Sequence, residues 1–349
     1  MRNLQKLKAI NLFIILIFLA SCQGDLKRFQ YSLPNKKSIT TNEEYKKISI
    51  IHTGNFNENS SVISEIVDSK ILLSIGGSNA LKGYISTLRE TIEAPTLLLD
   101  TGNFISFNSV TEKRNATIKL YSELNYDAVL LTESELLNIP NEQETQIPFI
   151  AGNIIDLKSD SITTRLNNKA YTIKDIEGVK IALIGLSLYN KKSQGEDGLS
   201  GIYFDDPIAR FITIKNEIGK RADLIILLLH AHRDQKAFNE TIKRLPPNSV
   251  DLVLGNDGEA GLRTVNGQTV VTNKGDGKYI GLIDIYIDDE KNFIAKQTRS
   301  YPPIKLCSQF FDVSADCHID RNDLEKIKSI KESNYKLIKA RVLGKDLEL

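Results

Sequence analysis

Four polar side chains, His52, Thr53, Asn55 and Asn57, cluster where an apolar run stops. Lys47-Ile48-Ser49-Ile50-Ile51 is short, apolar and rich in β-branched residues, and it breaks off into His52-Thr53-Gly54-Asn55-Phe56-Asn57. A buried parallel strand delivers side chains to a cleft at its carboxyl end in this way. An imidazole placed there can carry protons or bind a metal. Amide oxygens can hydrogen-bond or ligate a hard cation. A His at a strand end also serves as an ordinary buried hydrogen-bonding group, and His52 is read in that role.

Such a cleft needs several strands ending side by side. Thr96–Leu99 reads as one, and comparable apolar runs occupy Tyr126–Leu131, Pro148–Ile150, Lys180–Leu186, Asp223–Leu229 and Val250–Gly255. Helical spacing separates some of them. Leu81, Ile85, Leu88 and Ile92 lie on one face, and apolar residues at 63, 66, 67 and 71 predict a short helix over Ile63–Leu73. Asp205-Asp206-Pro207 opens a helix placed at Tyr203–Ile218. Strands alternating with helices predict βαβ units and a layered α/β sheet. Past residue 300, Asp320–Val342 reads as a charged terminal helix carrying Leu324, Ile327, Ile330, Tyr335 and Leu337.

The stretch His52–Asn57 resembles the His-Thr-Asn-Asp-x-His opening motif of calcineurin-like metallophosphoesterases, in their 5'-nucleotidase branch, and further blocks follow in that family's order. Ala94–Asn103 resembles the strand ending in Gly-Asp, with Asn103 at the acid. Tyr126–Glu135 resembles the strand leading into Gly-Asn-His-Glu, and Pro148–Asn153 and Lys180–Leu186 resemble the next two strands. Asp223–His230 resembles the strand presenting a metal-binding His, and Val250–Glu259 the strand before Gly-His-Ser-His. Thr269–Thr272 and Tyr279–Ile287, around Gly275-Asp276-Gly277, resemble the closing hairpin. The resemblance spans roughly residues 47 to 290. It implies a layered αββα metallophosphoesterase-like sandwich.

It also implies a site. In that family an Asp, a His, a bridging Asp, an Asn and three His hold two metal ions that activate water for attack on phosphorus. The corresponding residues here are Asn55, Asn57, Asn103, Glu133, His230, Asp257 and Glu259, and only His230 is unchanged. A neutral amide at 103 cannot bridge two dications as a carboxylate does. Ser134 stands where the family has the His that assists the leaving group. All seven side chains keep a lone pair and three are carboxylates, so a hard divalent cation, Mg, Mn or Ca, is the alternative to no cofactor. Without metal, Glu133, Asp257 and Glu259 would repel a phosphate dianion. His232 is expected to face solvent. Asp100 is read as preceding the motif, with Asn103 in the acid's place.

The 45 basic and 44 acidic residues of the 349-residue chain leave a net charge of +1, which gives nucleic acid no attracting field. At the N-terminus, basic Arg2, Lys6 and Lys8 precede an apolar run, Leu12–Ala20, too short to span a membrane. Leu19-Ala20-Ser21-Cys22 resembles a bacterial lipobox, implying cleavage before Cys22 and acylation of that residue. With Cys22 lipidated, Cys307 and Cys317 remain, and an exported chain with two such cysteines predicts a disulfide.

These readings divide the chain into a signal peptide (1–21), a polar tether (22–45), a metallophosphoesterase-like domain (46–300) and a C-terminal segment (301–349). They leave no room for the second domain with which 5'-nucleotidases hold the nucleoside. The expectation is a membrane-anchored lipoprotein of the bacterial cell envelope, on the outer-membrane or periplasmic face. Its domain is expected to act as a non-catalytic binding or structural module. The alternative is a metal-dependent phosphoester hydrolase with an oxygen-rich site.

Overall fold

The computed structural model describes residues 45–67, 71–141, 143, 145–188, 199–256, 260–307 and 318–320. The signal peptide, Cys22, nearly all of the tether, Asp257, Glu259, Cys317 and the expected helix after Asp320 lie outside the described residues.

The chain opens with β1 (Lys46–Thr53), followed by β2 (Ile63–Val67), β3 (Ile71–Ile75), α1 (Ser78–Thr91), β4 (Thr96–Asp100), α2 (Thr111–Glu123), β5 (Ala128–Leu130) and α3 (Glu133–Asn138). Short strands β6 (Phe149–Ile150), β7 (Ile154–Asp156) and β8 (Ser161–Ile162) lead to β9 (Tyr171–Ile176), β10 (Val179–Ser187) and β11 (Ile202–Phe204). Then come α4 (Pro207–Ile218), β12 (Leu224–His230), α5 (Gln235–Arg244), β13 (Leu252–Gly255), β14 (Gly261–Val265), β15 (Gln268–Thr272) and β16 (Tyr279–Ile287). The short strands β17 (Arg299–Ser300), β18 (Ile304–Lys305) and β19 (His318–Asp320) complete the described elements.

Two sheets dominate. The first runs β17-β16-β1-β4-β5-β6 with β18 attached to β16, and the second runs β14-β15-β13-β12-β10-β9. Within each, the central strands are parallel: β1, β4, β5 and β6 in one, and β10, β12, β13 and β15 in the other. Strand periodicity assigns the layers. Along β12, Ile226 and Leu228 join the core that includes Ile50, Leu99 and Val129 of the first sheet. Their neighbours Leu227 and Leu229 pack with Phe211 and Ile214 of α4 and Phe238 and Ile242 of α5. Helix α1 buries Leu81, Tyr84, Ile85 and Leu88 in the first core. Each such fully buried side chain contributes about 1.5–3 kcal/mol. The arrangement is the expected αββα sandwich.

Three local expectations are corrected. Ile63–Leu73 is not a helix: β2 and β3 form an antiparallel hairpin with Ile63 opposite Ile75 and Val67 opposite Ile71. The 3.6-residue spacing there coincides with β-branched Ile63, Ile66, Val67 and Ile71, which favour extended backbone. Helix α4 starts at Pro207, not Tyr203. The Asp206 carboxylate accepts from the N–H groups of Ile208 and Ala209, 2.9 Å each, fixing the first turn, while Ile202–Phe204 pair with β7. Finally, β15 and β16 do not form a hairpin. β15 pairs with β13 and β14, and β16 with β1, so Gly275–Gly277 carries the chain from one sheet to the other.

The chain beyond residue 300 continues into the same fold. Ile304, Leu306 and Cys307 are buried in the first core, and Cys307 forms a backbone bridge with Ile75. Cys307 is disulfide-bonded. Strand β19 returns to the same neighbour, with His318 opposite Leu73.

Candidate functional site

The carboxyl ends of the parallel strands from both sheets meet at one end of the sandwich, and their loops stay hydrogen-bonded beyond the strands. Thr101 N donates to Thr53 O at 3.0 Å, Asn55 N to Gly102 O at 2.9 Å, Asn57 N to Asn103 O at 3.2 Å and Glu58 N to Phe104 O at 2.9 Å. Asn55, Asn57 and Asn103 all have left-handed backbone, with φ of 52°, 48° and 59°. Asn, Asp and His are the side chains enriched in that region. Exchange among them therefore keeps the backbone while changing charge and coordination chemistry. Gly102, at φ 85°, admits no side chain, because a Cβ would lie 2.6 Å from Leu130 O.

Asn103 Nδ2 donates to Asn55 Oδ1 at 3.0 Å, and Asn57 Nδ2 donates to the Asn55 carbonyl at 3.1 Å. Asn55 and Asn103 thus come together as expected, with Asn57 behind them. Asp100 is elsewhere: its fully buried carboxylate accepts from Thr53 Oγ1 (2.5 Å), Tyr121 OH (3.1 Å) and Gly102 N (2.7 Å). Burial pushes its pKa up to about 6, against these hydrogen bonds. Asn103, not Asp100, is the residue at the cleft.

Sequence reasoning gave Glu135 no role, yet it fixes the loop from the other side. Its buried carboxylate accepts from Phe104 N (2.8 Å), Ile105 N (3.1 Å), Thr132 N (3.0 Å) and Thr132 Oγ1 (2.5 Å), closing a capping box on α3. Burial raises its pKa to about 7 even so. The Thr-x-x-Glu spacing of Thr132 and Glu135 was the available signal. Asn103 is held between Asp100, through Gly102, and Glu135, through Phe104.

Glu133 and Ser134 start α3 and are buried. His230, at the end of β12, is fully buried, and desolvation holds its pKa well below the ordinary histidine value. His232 does not face solvent as expected. Its Nε2 lies 2.6 Å from Leu188 O, its Nδ1 3.6 Å from Glu133 Oε1, and its ring meets His230 edge-on at 4.6 Å. Left-handed φ at His232 (51°) and Arg233 (65°) turns the chain back over the cleft, which no local pattern signals. Asn256, also unassigned from sequence, is buried. It accepts from Thr101 Oγ1 at 2.5 Å and ties β13 to the loop after β4. Its signal was its place as the first polar residue after an apolar strand.

His52 is buried, and its Nδ1 makes no hydrogen bond to a described residue. Its ring lies over Gly281, opposite in the ladder, and burial lowers its pKa to about 4. Among the described residues, no three His, Cys, Asp or Glu side chains converge as a metal-holding group.

No protein-family profile matches the chain. A 5'-nucleotidase of Vibrio cholerae is 28% identical over 200 residues, covering 51% of this chain and 35% of that protein. The structure of Haemophilus influenzae NAD nucleotidase superposes with a TM-score of 0.62 at 18% identity, covering 84% of this chain and 55% of that one. The calcineurin-like phosphoesterase YfkN of Bacillus subtilis superposes with a TM-score of 0.57 at 17% identity, covering 85% and 97%. The chain spans 30% to 50% of the length of the curated relatives it matches.

Proposed function

We propose that this chain, a relative of the 5'-nucleotidase branch of the calcineurin-like metallophosphoesterases with their layered α/β fold, is a non-catalytic binding or structural module. The observation that carries this reading is the 3.0 Å hydrogen bond from Asn103 to Asn55. Two-metal chemistry of the kind the resemblance implies needs anionic oxygens at these positions to bridge and neutralise the ions. Here one neutral amide donates to the other. His232 adds to the misfit, because its ring lies beside Glu133 and His230, the other described ligand positions. The described donors do not fit a pair of metal ions, so no catalytic step is derived through them.

The buried carboxylate of Glu133 beside the His232 imidazole, which in turn meets His230, favours a second reading, a phosphoester hydrolase using one divalent cation among oxygens. One experiment separates the two. Full-length protein in detergent is assayed for bound metal after exposure to Mn²⁺, Mg²⁺, Ca²⁺ and Zn²⁺, and for hydrolysis of an aryl phosphate and of AMP. The module reading expects neither. Hydrolysis that is abolished both by a chelator and by His230→Ala overturns it.

The module is displayed at the bacterial cell envelope through lipid on Cys22, with the lipobox resemblance as the support. Several acyl chains on one residue make a stable anchor where one alone is marginal. Wild-type protein is expected in the detergent phase of a partition and Cys22→Ser protein in the aqueous phase or uncleaved. Wild-type protein found wholly in the aqueous phase removes the anchor.

A further inference from the structure

Among the described residues, six large apolar side chains are exposed, and three of them lie on the two loops that leave the carboxyl ends of β1 and β4: Val62 (41%), Phe107 (40%) and Val110 (54%). The other three, Leu157, Ile212 and Leu262, belong to separate parts of the chain. Single exposed apolar residues are ordinary, whereas several brought onto one part of a surface mark a place of contact.

The two loops are fastened to each other. Glu58 N donates to Phe104 O at 2.9 Å, Ser106 Oγ donates to Asn57 O at 2.9 Å, and Ser109 Oγ donates to the Glu58 carboxylate. Asn138 Nδ2 donates to Phe107 O at 3.1 Å. The Phe107 ring is therefore exposed from a backbone that hydrogen bonds hold in place.

Val110 breaks a local rule. It is the N-cap of α2, with extended backbone, and makes no capping hydrogen bond. Ser, Thr, Asp and Asn are favoured there because a side-chain oxygen accepts from the first turn, and Val is among the poorest choices. A polar residue would cap the helix and remove an exposed apolar surface together. Sequences depart from local rules in this way mainly at functional sites.

We infer that Val62, Phe107 and Val110 enter the interface of a lipid bilayer and dock the domain there by its cleft-end loops. The choice of a bilayer as occupant rests on the reading of Cys22 as a lipid anchor. Residues 22–45 can span at most about 80 Å, against about 26 Å for the length of β1, so such a tether allows either end of the strand to face the membrane. It also keeps the domain beside the membrane, where docking is intramolecular and a few apolar side chains suffice. The first turn of α2 carries Glu112 with Lys113 and Arg114, charges of both signs, so apolar insertion is the attraction.

The chain has no tryptophan, so Phe107→Trp and Val110→Trp each place a single fluorophore on the patch, and Ile212→Trp places one at an exposed site on α4. Full-length lipoprotein variants are incorporated into vesicles of phosphatidylethanolamine and phosphatidylglycerol, with or without bromine on the acyl chains, and floated to confirm association. Emission of the Phe107→Trp and Val110→Trp proteins is expected to shift to the blue and to be quenched by brominated lipid, and that of Ile212→Trp to do neither. In the Phe107→Trp background, Val110→Asp should raise the melting temperature by capping α2 while it lowers the quenching. The inference is overturned if floated Phe107→Trp protein is not quenched, if all three positions are quenched alike, or if Val110→Asp leaves quenching unchanged. A blue shift of the Phe107→Trp protein that grows with protein concentration without vesicles would also overturn it, since a second copy would then be the occupant. Loss of the anchor reading is a separate outcome, seen as wild-type protein in the aqueous phase of the detergent partition. Quenching of the loop fluorophores by added vesicles would then support the inference, and its absence would overturn it.

Discussion

Asn103 Nδ2 and Asn55 Oδ1 meet at 3.0 Å from positions 48 residues apart, each on left-handed backbone. The pair is a hydrogen bond between neutral groups where the resemblance implies two carboxylates. Because Asp and His tolerate the same backbone, ligand identity can be changed without altering the loops.

That independence makes reversion a direct test. Asn103→Asp alone is expected to bind no metal, since each ion needs its own set of ligands. The combination Asn55→Asp, Asn57→His, Asn103→Asp, Glu133→Asn, Ser134→His, Asp257→His and Glu259→His, around native His230, is expected to bind two equivalents of Mn²⁺ or Zn²⁺. A folded revertant that takes up no metal would show that the motif positions are misassigned.

Glu135 sets a pH dependence of known sign. Its pKa is about 7 in the fold against an ordinary 4.5, so the native state keeps a proton that the unfolded chain has lost. The stability it contributes is present below pH 4.5 and disappears as pH rises through 7, a change on the order of 3 kcal/mol. His52, lowered from 6.5 to about 4, acts oppositely: its contribution is present above pH 6.5 and is lost as pH falls toward 4. The wild-type curve mixes these with Asp100, whose pKa is raised to about 6 and which acts in the same sense as Glu135, so the comparison must be with Glu135→Gln. The variant's stability relative to wild type should climb from pH 4.5 to 7 and then level off in denaturant titrations. A constant difference across that range would refute the assignment.

Gly281 and His52 should be energetically coupled. Gly281→Ala places a Cβ 2.0 Å from the imidazole, and should destabilise the protein by about 1–3 kcal/mol or more, as overpacking does. In a His52→Ala background the same change should cost much less. Additive costs in the double-mutant cycle would mean the ring is not seated on Gly281.

Cys307 is buried, its N–H donates to Tyr84 OH at 3.2 Å, and it is disulfide-bonded. Residues 307 and 318 bracket the same strand, opposite Ile75 and Leu73, which fits Cys317 as the partner. Thiol reagents are expected to label neither cysteine before reduction, and Cys307→Ser should cost about 2–5 kcal/mol. Labelling of both in unreduced exported protein would rule out the bridge.

Local composition was sufficient for a layered α/β sheet, and the resemblance of its motifs implied the sandwich. Apolar strands such as Leu224–Leu229 announce burial on both faces, and the polar residues that stop them, His52 and His230, mark the carboxyl ends where a cleft forms. It was misleading where burial has more than one structural solution. The spacing at 63, 66, 67 and 71 suits a helix as well as β-branched strands, and two strands around Gly275–Gly277 can pair with each other or join different sheets. Only the tertiary structure decided which strand lies beside which. It alone turned His232 onto Glu133, set Glu135 against the loop carrying Asn103 and laid the His52 ring over Gly281. The physical reason is range. Periodicity and propensity act within a few residues and report how buried a position is. Hydrogen bonds between loops dozens of residues apart depend on which chain ends the packed sheets bring together, and that information is not held in any one stretch of sequence.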